Sequence, residues 1–170
     1  IYTAGGTVTV ANSTVSGNGS GIDTAGSSVV TVTSSTVSGN VSIEESGGDL
    51  RGIRSDGDAM TLRNTIVGDG CHGDAPISSL GYNIEAGGDS CGFDHETDQV
   101  NVSADDLKLG ELADNGGPTM THALLPGSVA IDQIPEAECV DADGEPLTTD
   151  QRGEPRDDGM CDVGAFELQP

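Results

Sequence analysis

Apolar and polar residues alternate in Val8-Thr9-Val10, and the alternation returns in Val30-Thr31-Val32 and Met60-Thr61-Leu62. Each run opens a longer copy: VTVANSTVSGN from Val8 to Asn18, VTVTSSTVSGN from Val30 to Asn40, and MTLRNTIVGDG from Met60 to Gly70. The copies begin 22 and then 30 positions apart. A period of two predicts a β-strand with the valines on one side, facing the interior, and the threonines on the other. A unit this short cannot bury its own apolar face, so repeats at this spacing predict a solenoid in which successive units stack. The expected fold is all-β: a right-handed single-stranded parallel β-helix of about three to five coils.

Further along each copy, Gly21-Ile22, Gly52-Ile53 and Gly81-Tyr82-Asn83-Ile84 read as a second recurring strand. Asn12, Asn18 and Asn40 sit beside turns, where their amides can bond neighbouring backbone or form a ladder between repeats. The longer second interval points to a loop from Val41 to Leu50 carrying Glu44, Glu45 and Asp49. Tyr82 and Phe93 are large enough to plug the core. After about residue 100 the repeat fades. Ser103-Ala104-Asp105-Asp106 predicts a capped helical turn leading into Leu107 to Ala113, with Gly110 working against it. Pro118, Pro126, Pro135, Pro146 and Pro155 then punctuate an irregular stretch. The expected division is repeats over 1–100 and a C-terminal cap of the same domain over 101–170, covering the apolar face of the last repeat.

Composition supports a thin core. Aromatics make up 2% of the chain, there is no Trp, and Gly accounts for 26 of 170 residues, roughly twice the usual share of about 7%. The formal net charge is −23, yet residues 1–42 hold a single acid, Asp23, and no Lys or Arg. Such a surface repels nucleic acid and anionic lipid. The acids read mainly as a solvating surface, with hard cations such as calcium as the alternative role. No apolar run approaches the length of a membrane span. No signal peptide is visible and Ile1 falls inside a strand pattern, which predicts a mature or trimmed fragment.

The four cysteines form two groups, Cys71 with Cys91 and Cys139 with Cys161, separated by 20 and 22 residues. No CxxC pair occurs, so both groups are expected to close disulfide loops, each stabilising by roughly 3 kcal/mol. Disulfides predict an oxidising, extracellular location, at a cell surface or secreted.

Several motifs resemble a known family. Asn64-Thr65-Ile66-Val67 and Ser79-Leu80-Gly81-Tyr82-Asn83-Ile84 resemble the last coils of exported bacterial and archaeal parallel β-helix proteins. More specific are the run from Leu112 to Asp132 (LADNGGPTMTHALLPGSVAID), the run Thr149 to Arg156 (TDQRGEPR), and Cys161 to Glu167 (CDVGAFE). Together they resemble the carboxy-terminal module of the choice-of-anchor Q surface proteins over roughly residues 60–167. The resemblance implies a parallel β-helix, export and cell-surface attachment. It implies little about activity, because that family is defined by architecture. The sequence ends at Leu168-Gln169-Pro170 without the family's sorting tail and lacks its long upstream solenoid, which leaves the anchoring route open.

Candidate chemistry is sparse. A polysaccharide lyase or hydrolase needs clustered carboxylates with a base or acid at defined separation. Arg63 on a repeat strand, Arg51 and Arg54 beside Ile53, and Asp56 and Asp58 are the residues that would supply it. Asp141, Asp143 and Glu145 resemble part of a calcium loop but lack its remaining ligands. Cys71, His72, Cys91 and His95 offer an unconventional zinc alternative to the disulfide. His122, without a paired nucleophile in sequence, reads as a buried hydrogen-bonding residue. Arg152 and Arg156 read as ion-pair partners of Asp150, Glu154, Asp157 and Asp158. Asn12, Asn18, Asn40 and Asn101 each begin an Asn-X-Ser/Thr sequon.

These features favour a non-catalytic extracellular structural or adhesive protein that binds glycans or other cell-surface components. One alternative is a self-assembling filament subunit, docking other copies of itself or an upstream solenoid at its uncapped N-terminal end. The other is a carbohydrate enzyme. No cofactor is expected beyond calcium.

Overall fold

The computed structural model describes residues 1–41 and 52–170. The predicted loop from Val41 to Leu50 lies outside them, Val41 apart, as does Arg51. Strands β1 (Tyr2–Ala11), β2 (Thr14–Val15), β3 (Ile22–Thr33), β4 (Thr36–Val37), β5 (Ile53–Arg63), β6 (Ile66–Val67), β7 (Cys71–His72), β8 (Ile77–Ser79), β9 (Ile84–Ala86) and β10 (Gln99–Val102) build two parallel sheets. One has the order β1-β3-β5, with β7 and β8 both on the far edge of β5. The other runs β10-β9-β6-β4-β2. The chain passes from one sheet to the other within each repeat, and every strand pairs with its counterpart in the next.

The register follows the sequence copies: Val8 faces Val30, Val30 faces Met60, and Met60 faces Ile77. Alternation places Val10, Val30, Val32, Met60 and Leu62 in the core. Thr9 is exposed, and Thr31 and Thr61 are partly exposed on the outer side. Phe93 is buried against this cluster, whereas Tyr82 packs on a second one.

The second sheet differs from expectation. Ile22 and Ile53 do not begin a separate strand; they head the same long strands as Val30 and Met60, interrupted by register shifts. Ile84 belongs to the other sheet, where it faces Ile66. The recurring second strand is instead the short Thr14–Val15, Thr36–Val37 and Ile66–Val67 step. Two residues leave no room for a visible period, which hid it in the sequence.

Between the sheets the chain turns through a left-handed residue: Asn12, Ser34, Asn64 and Tyr82 have φ of 48°, 46°, 53° and 55°. Asn tolerates this region because its side chain bonds locally. The next residue closes the corner. Ser13, Ser35 and Thr65 donate their hydroxyls to the carbonyls of Ala11, Thr33 and Arg63. Side-chain oxygens here also accept amides from the adjacent repeat, Ser35 from Ser13 N–H and Asn83 from Thr65 N–H. After the short strand a second ladder forms: Asn18 donates its amide to Asn40 Oδ1, and Asn40 donates its own to Asp69 Oδ2, both at 3.1 Å. Asn40 is buried and also donates to the Val15 carbonyl.

The remaining elements are α1 (Ala104–Leu107), β11 (Leu109–Ala113), β12 (Thr121–Leu124), β13 (Ile134–Pro135) and β14 (Met160–Cys161). Ser103 caps α1 by accepting the Asp106 amide, and Lys108 ends it in the left-handed region. That is the capped turn expected from Ser103-Ala104-Asp105-Asp106; the residues after it form strand β11, paired antiparallel with β12.

Residues beyond 101 were expected to close the end of the repeats. They also run along the side of the repeats. Thr14 donates to Gln151 Oε1, Thr36 Oγ1 accepts the Ala165 amide, and the Gly164 amide donates to the Asn64 carbonyl. Asn12 donates to the Thr149 carbonyl and Asn64 to that of Glu138. Ile66 and Ile84 are buried in a second cluster with Leu107, Leu124, Ile134, Val163 and Phe166. This cladding removes the outer face of the second sheet from water.

The structure contains two disulfides, Cys71–Cys91 and Cys139–Cys161. Among the described residues no helix is long and apolar enough to cross a membrane.

Asn40→Ala is expected to lower stability by about 1–3 kcal/mol, because it strands the buried Val15 carbonyl and breaks the ladder to Asn18 and Asp69. Asn18→Ala, at an exposed position, should cost less than about 0.5 kcal/mol. Urea unfolding midpoints measure both.

Candidate functional site

Arg63 closes β5 on its outer side, in line with Thr61, and Thr33 stands opposite it on β3. The turn Asp141–Gly144 folds over this end of the sheet. With Thr31, Thr61 and Leu80 they line a groove of about 270 Å³. That is near the lower end for a small-molecule site, roughly 300–1,000 Å³. Arg63 is held from one side by Glu138 at 3.8 Å, a partly exposed pair that contributes at most about 1 kcal/mol. Arg63 Nε and Thr33 Oγ1 are buried without a hydrogen-bond partner among the described residues. Unspent polar capacity of this kind calls for a functional or solvent explanation. The groove thus joins two residue sets that the sequence offered for different roles: Arg63 and the Asp141–Asp143 pair.

The Asp141 turn is closed on itself. Asp141 Oδ1 accepts the amides of Asp143 and Glu145 at 2.9 and 3.0 Å, and the Asp141 amide donates to the Glu145 carbonyl. One carboxylate oxygen of the proposed calcium set is therefore committed to the turn. Among the described residues no group of three or more His, Cys, Asp or Glu is arranged to hold a metal ion. Both cysteines of the zinc alternative are spent in a disulfide.

The candidate enzyme residues are separated. Arg54 pairs with Asp56 at 2.6 Å near the start of β5, while Arg63 ends that strand. Seven to nine residues of strand span roughly 23–30 Å, too far for one reacting centre. Asp56 also accepts the Asp74 amide, and this hydrogen bond, ahead of Arg54, holds its carboxyl below the usual range.

A larger cleft, about 440 Å³, lies beside the Cys71–Cys91 disulfide and is lined by Asp69, His72 and Glu85 among others. Its acids are already engaged. Asp69 accepts the amides of Gly39 and Asn40. Glu85, fully buried, accepts from Ser90 and from the Cys91 amide.

A buried ionic cluster fixes the segment that carries the groove's wall. Arg156 donates to Glu167 Oε2 and to the carbonyls of Asp162 and Gly164. Asp162 accepts the amides of Asp132 and Leu168. Arg152 pairs with Asp150 at 2.8 Å and lies 3.7 Å over the Phe166 ring. The sequence pointed to Asp150 and to near neighbours; Glu167 and Asp162 as partners were not foreseen, because they come from the chain's end. Burial pushes Glu167 up to about 7 and raises Asp162, and burial lowers Arg156.

His122 is buried and bonded on both ring nitrogens. Of the sequon asparagines, Asn40 is enclosed in its ladder while Asn18 and Asn101 are exposed. Comparison with known protein families, curated proteins and solved structures finds no match to this chain.

A raised folded-state carboxyl pKa contributes stability that is full below its unfolded value of 4.5 and lost as pH rises through about 7. Wild type should therefore lose roughly 1–3 kcal/mol relative to Glu167→Gln between pH 5 and pH 8. Urea titrations of both proteins at the two pH values give this difference directly.

Proposed function

We propose that this chain forms part of a right-handed parallel β-helix acting outside the cell as a non-catalytic structural or adhesive element. The observation that carries the reading is the register of its outward positions. Thr9, Thr31 and Thr61 form a continuous neutral row across β1, β3 and β5, leading to the groove beside Arg63. Stacked parallel repeats of about 4.8 Å spacing give a stiff support. Right-handed crossovers are favoured because a right-twisted strand returns to its sheet with little strain only in that hand.

Two disulfides fit an oxidising compartment, and the acidic surface favours solubility. The resemblance to choice-of-anchor Q surface proteins points the same way. Adhesion would use the threonine row and groove, where the methyl groups of Thr31 and Thr61 and the Leu80 side chain offer an apolar shelf beside the Arg63 guanidinium. With Glu138, Asp141 and Asp143 around a single cation, the groove suits neutral saccharides better than anionic ones.

A glycan array probed with the folded protein tests this reading. Retention on neutral glycans, weakened at least about tenfold by Arg63→Ala with an unchanged melting temperature, is the expected result. Shortened or unsaturated products from any polysaccharide, or no retention at all, would reject it.

A further inference from the structure

Ser16 Oγ lies 2.9 Å from His122 Nε2, across 106 residues of sequence. The other ring nitrogen, Nδ1, is 2.7 Å from the Gly110 carbonyl oxygen. A carbonyl only accepts, so Nδ1 carries a proton, and in the neutral form of the ring the Nε2 lone pair faces the Ser16 hydroxyl. The imidazole is 6% exposed, and its place on β12, opposite the β11 carbonyl, fixes its orientation. Ser16 follows β2 in a turn whose next residues, Gly17 and Asn18, are exposed.

We propose that Ser16 and His122 form a nucleophile–base pair that accepts an acyl group from an activated ester. A hydroxyl within hydrogen-bond reach of a base, itself oriented by a third group, is the arrangement that activates serine. Here the third group is a main-chain carbonyl. It sets the tautomer but adds no full negative charge opposite the imidazolium, which suits a single acylation better than rapid turnover. Among the described residues no backbone carbonyl takes the Ser16 N–H, which leaves it as a donor for the developing oxyanion.

On the His122 side of the pair lies a cleft of about 300 Å³ lined by His122, Gly39, Leu107 and Leu109 among others. A Cβ on Gly39 would stand 2.9 Å from Ser16 Oγ and 3.6 Å from the imidazole; glycine leaves that approach open. The leucines give a short acyl chain an apolar wall. In the reaction the Ser16 Oγ–acyl carbon bond forms as the bond from that carbon to the leaving oxygen breaks. Nε2 takes the serine proton and passes it to the departing alkoxide. The step needs no oxidant or reductant. It adds one reactive hydroxyl to the proposed scaffold, at a cleft that shares no lining residue with the groove beside Arg63.

A fluorophosphonate ester probes the same hydroxyl, since Oγ–P replaces P–F and the proton leaves with fluoride. Folded wild type, Ser16→Ala and His122→Gln are treated with it, followed by intact-mass measurement, peptide mapping and a thermal melt of each. The expected result is one adduct on Ser16, absent in Ser16→Ala and formed at least about 100-fold more slowly in His122→Gln. No adduct on folded wild type, adducts only at other residues, or equal Ser16 labelling in His122→Gln overturns the proposal. If His122→Gln does not fold, urea-unfolded wild type is the comparison: Ser16 labelling that persists there at the folded rate also overturns it.

Discussion

Each repeat of this protein completes its corners with atoms borrowed from the next. The Ser13 amide needs the Ser35 hydroxyl, the Thr65 amide needs the Asn83 side chain, and Asn18 leans on Asn40 as Asn40 leans on Asp69. A buried amide left without a partner costs about 1–3 kcal/mol. The corners therefore penalise any slip in register that the apolar faces alone would tolerate, since Val10, Val32 and Leu62 would pack in more than one offset. Side-chain ladders supply the specificity and the valines supply the burial.

The C-terminal segment solves a different problem. The outer face of the second sheet carries Ile66 and Ile84, which one-sided alternation would leave in water. The segment buries them, then spends its backbone on the repeats through Thr36 and Asn64. Its own irregular path is held by Arg156, whose guanidinium serves two carbonyls and Glu167. Such a cluster is a poor source of net stability, because removing its charges from water offsets much of their attraction. Its value is geometric: it dictates one path where loops of Gly and Pro would permit many.

The legible part of the fold was the part with period two. Aligning Val8, Val30 and Met60 gives the true pairing of the first sheet, because alternation and register are the same statement there. The second sheet was misread because its strands are two to four residues long and Ile84 follows Ile66 after an interval unlike the earlier ones. The turn capped by Ser103 was legible, whereas strand β11 was not, because it depends on β12, a partner that no local window contains. Of the groove, Arg63 and Asp141 were each visible but not their meeting. Ser16 gave no signal, since it differs in nothing local from Ser38; only the fold brings an imidazole to one and not the other. Asp69 was hidden as a ladder member, because setting the third copy's Gly-Asp-Gly ending against the Ser-Gly-Asn of the first two places it opposite Gly39, one position short of Asn40.

Repeat arrays usually fray, because each unit contacts only its neighbours and the ends can open independently. This chain ties its first repeat to residues 122, 149 and 151. Those clasps close loops of more than a hundred residues, an entropic cost that grows only slowly with length. Their effect is to make residues 122–151 a condition for completing the repeat at residues 8–18. Until the carboxy-terminal residues arrive, Ile66 and Ile84 stay wet and the first turn stays unpinned. Melting should then be a single event across the array, with the amino-terminal repeat as protected as the middle ones.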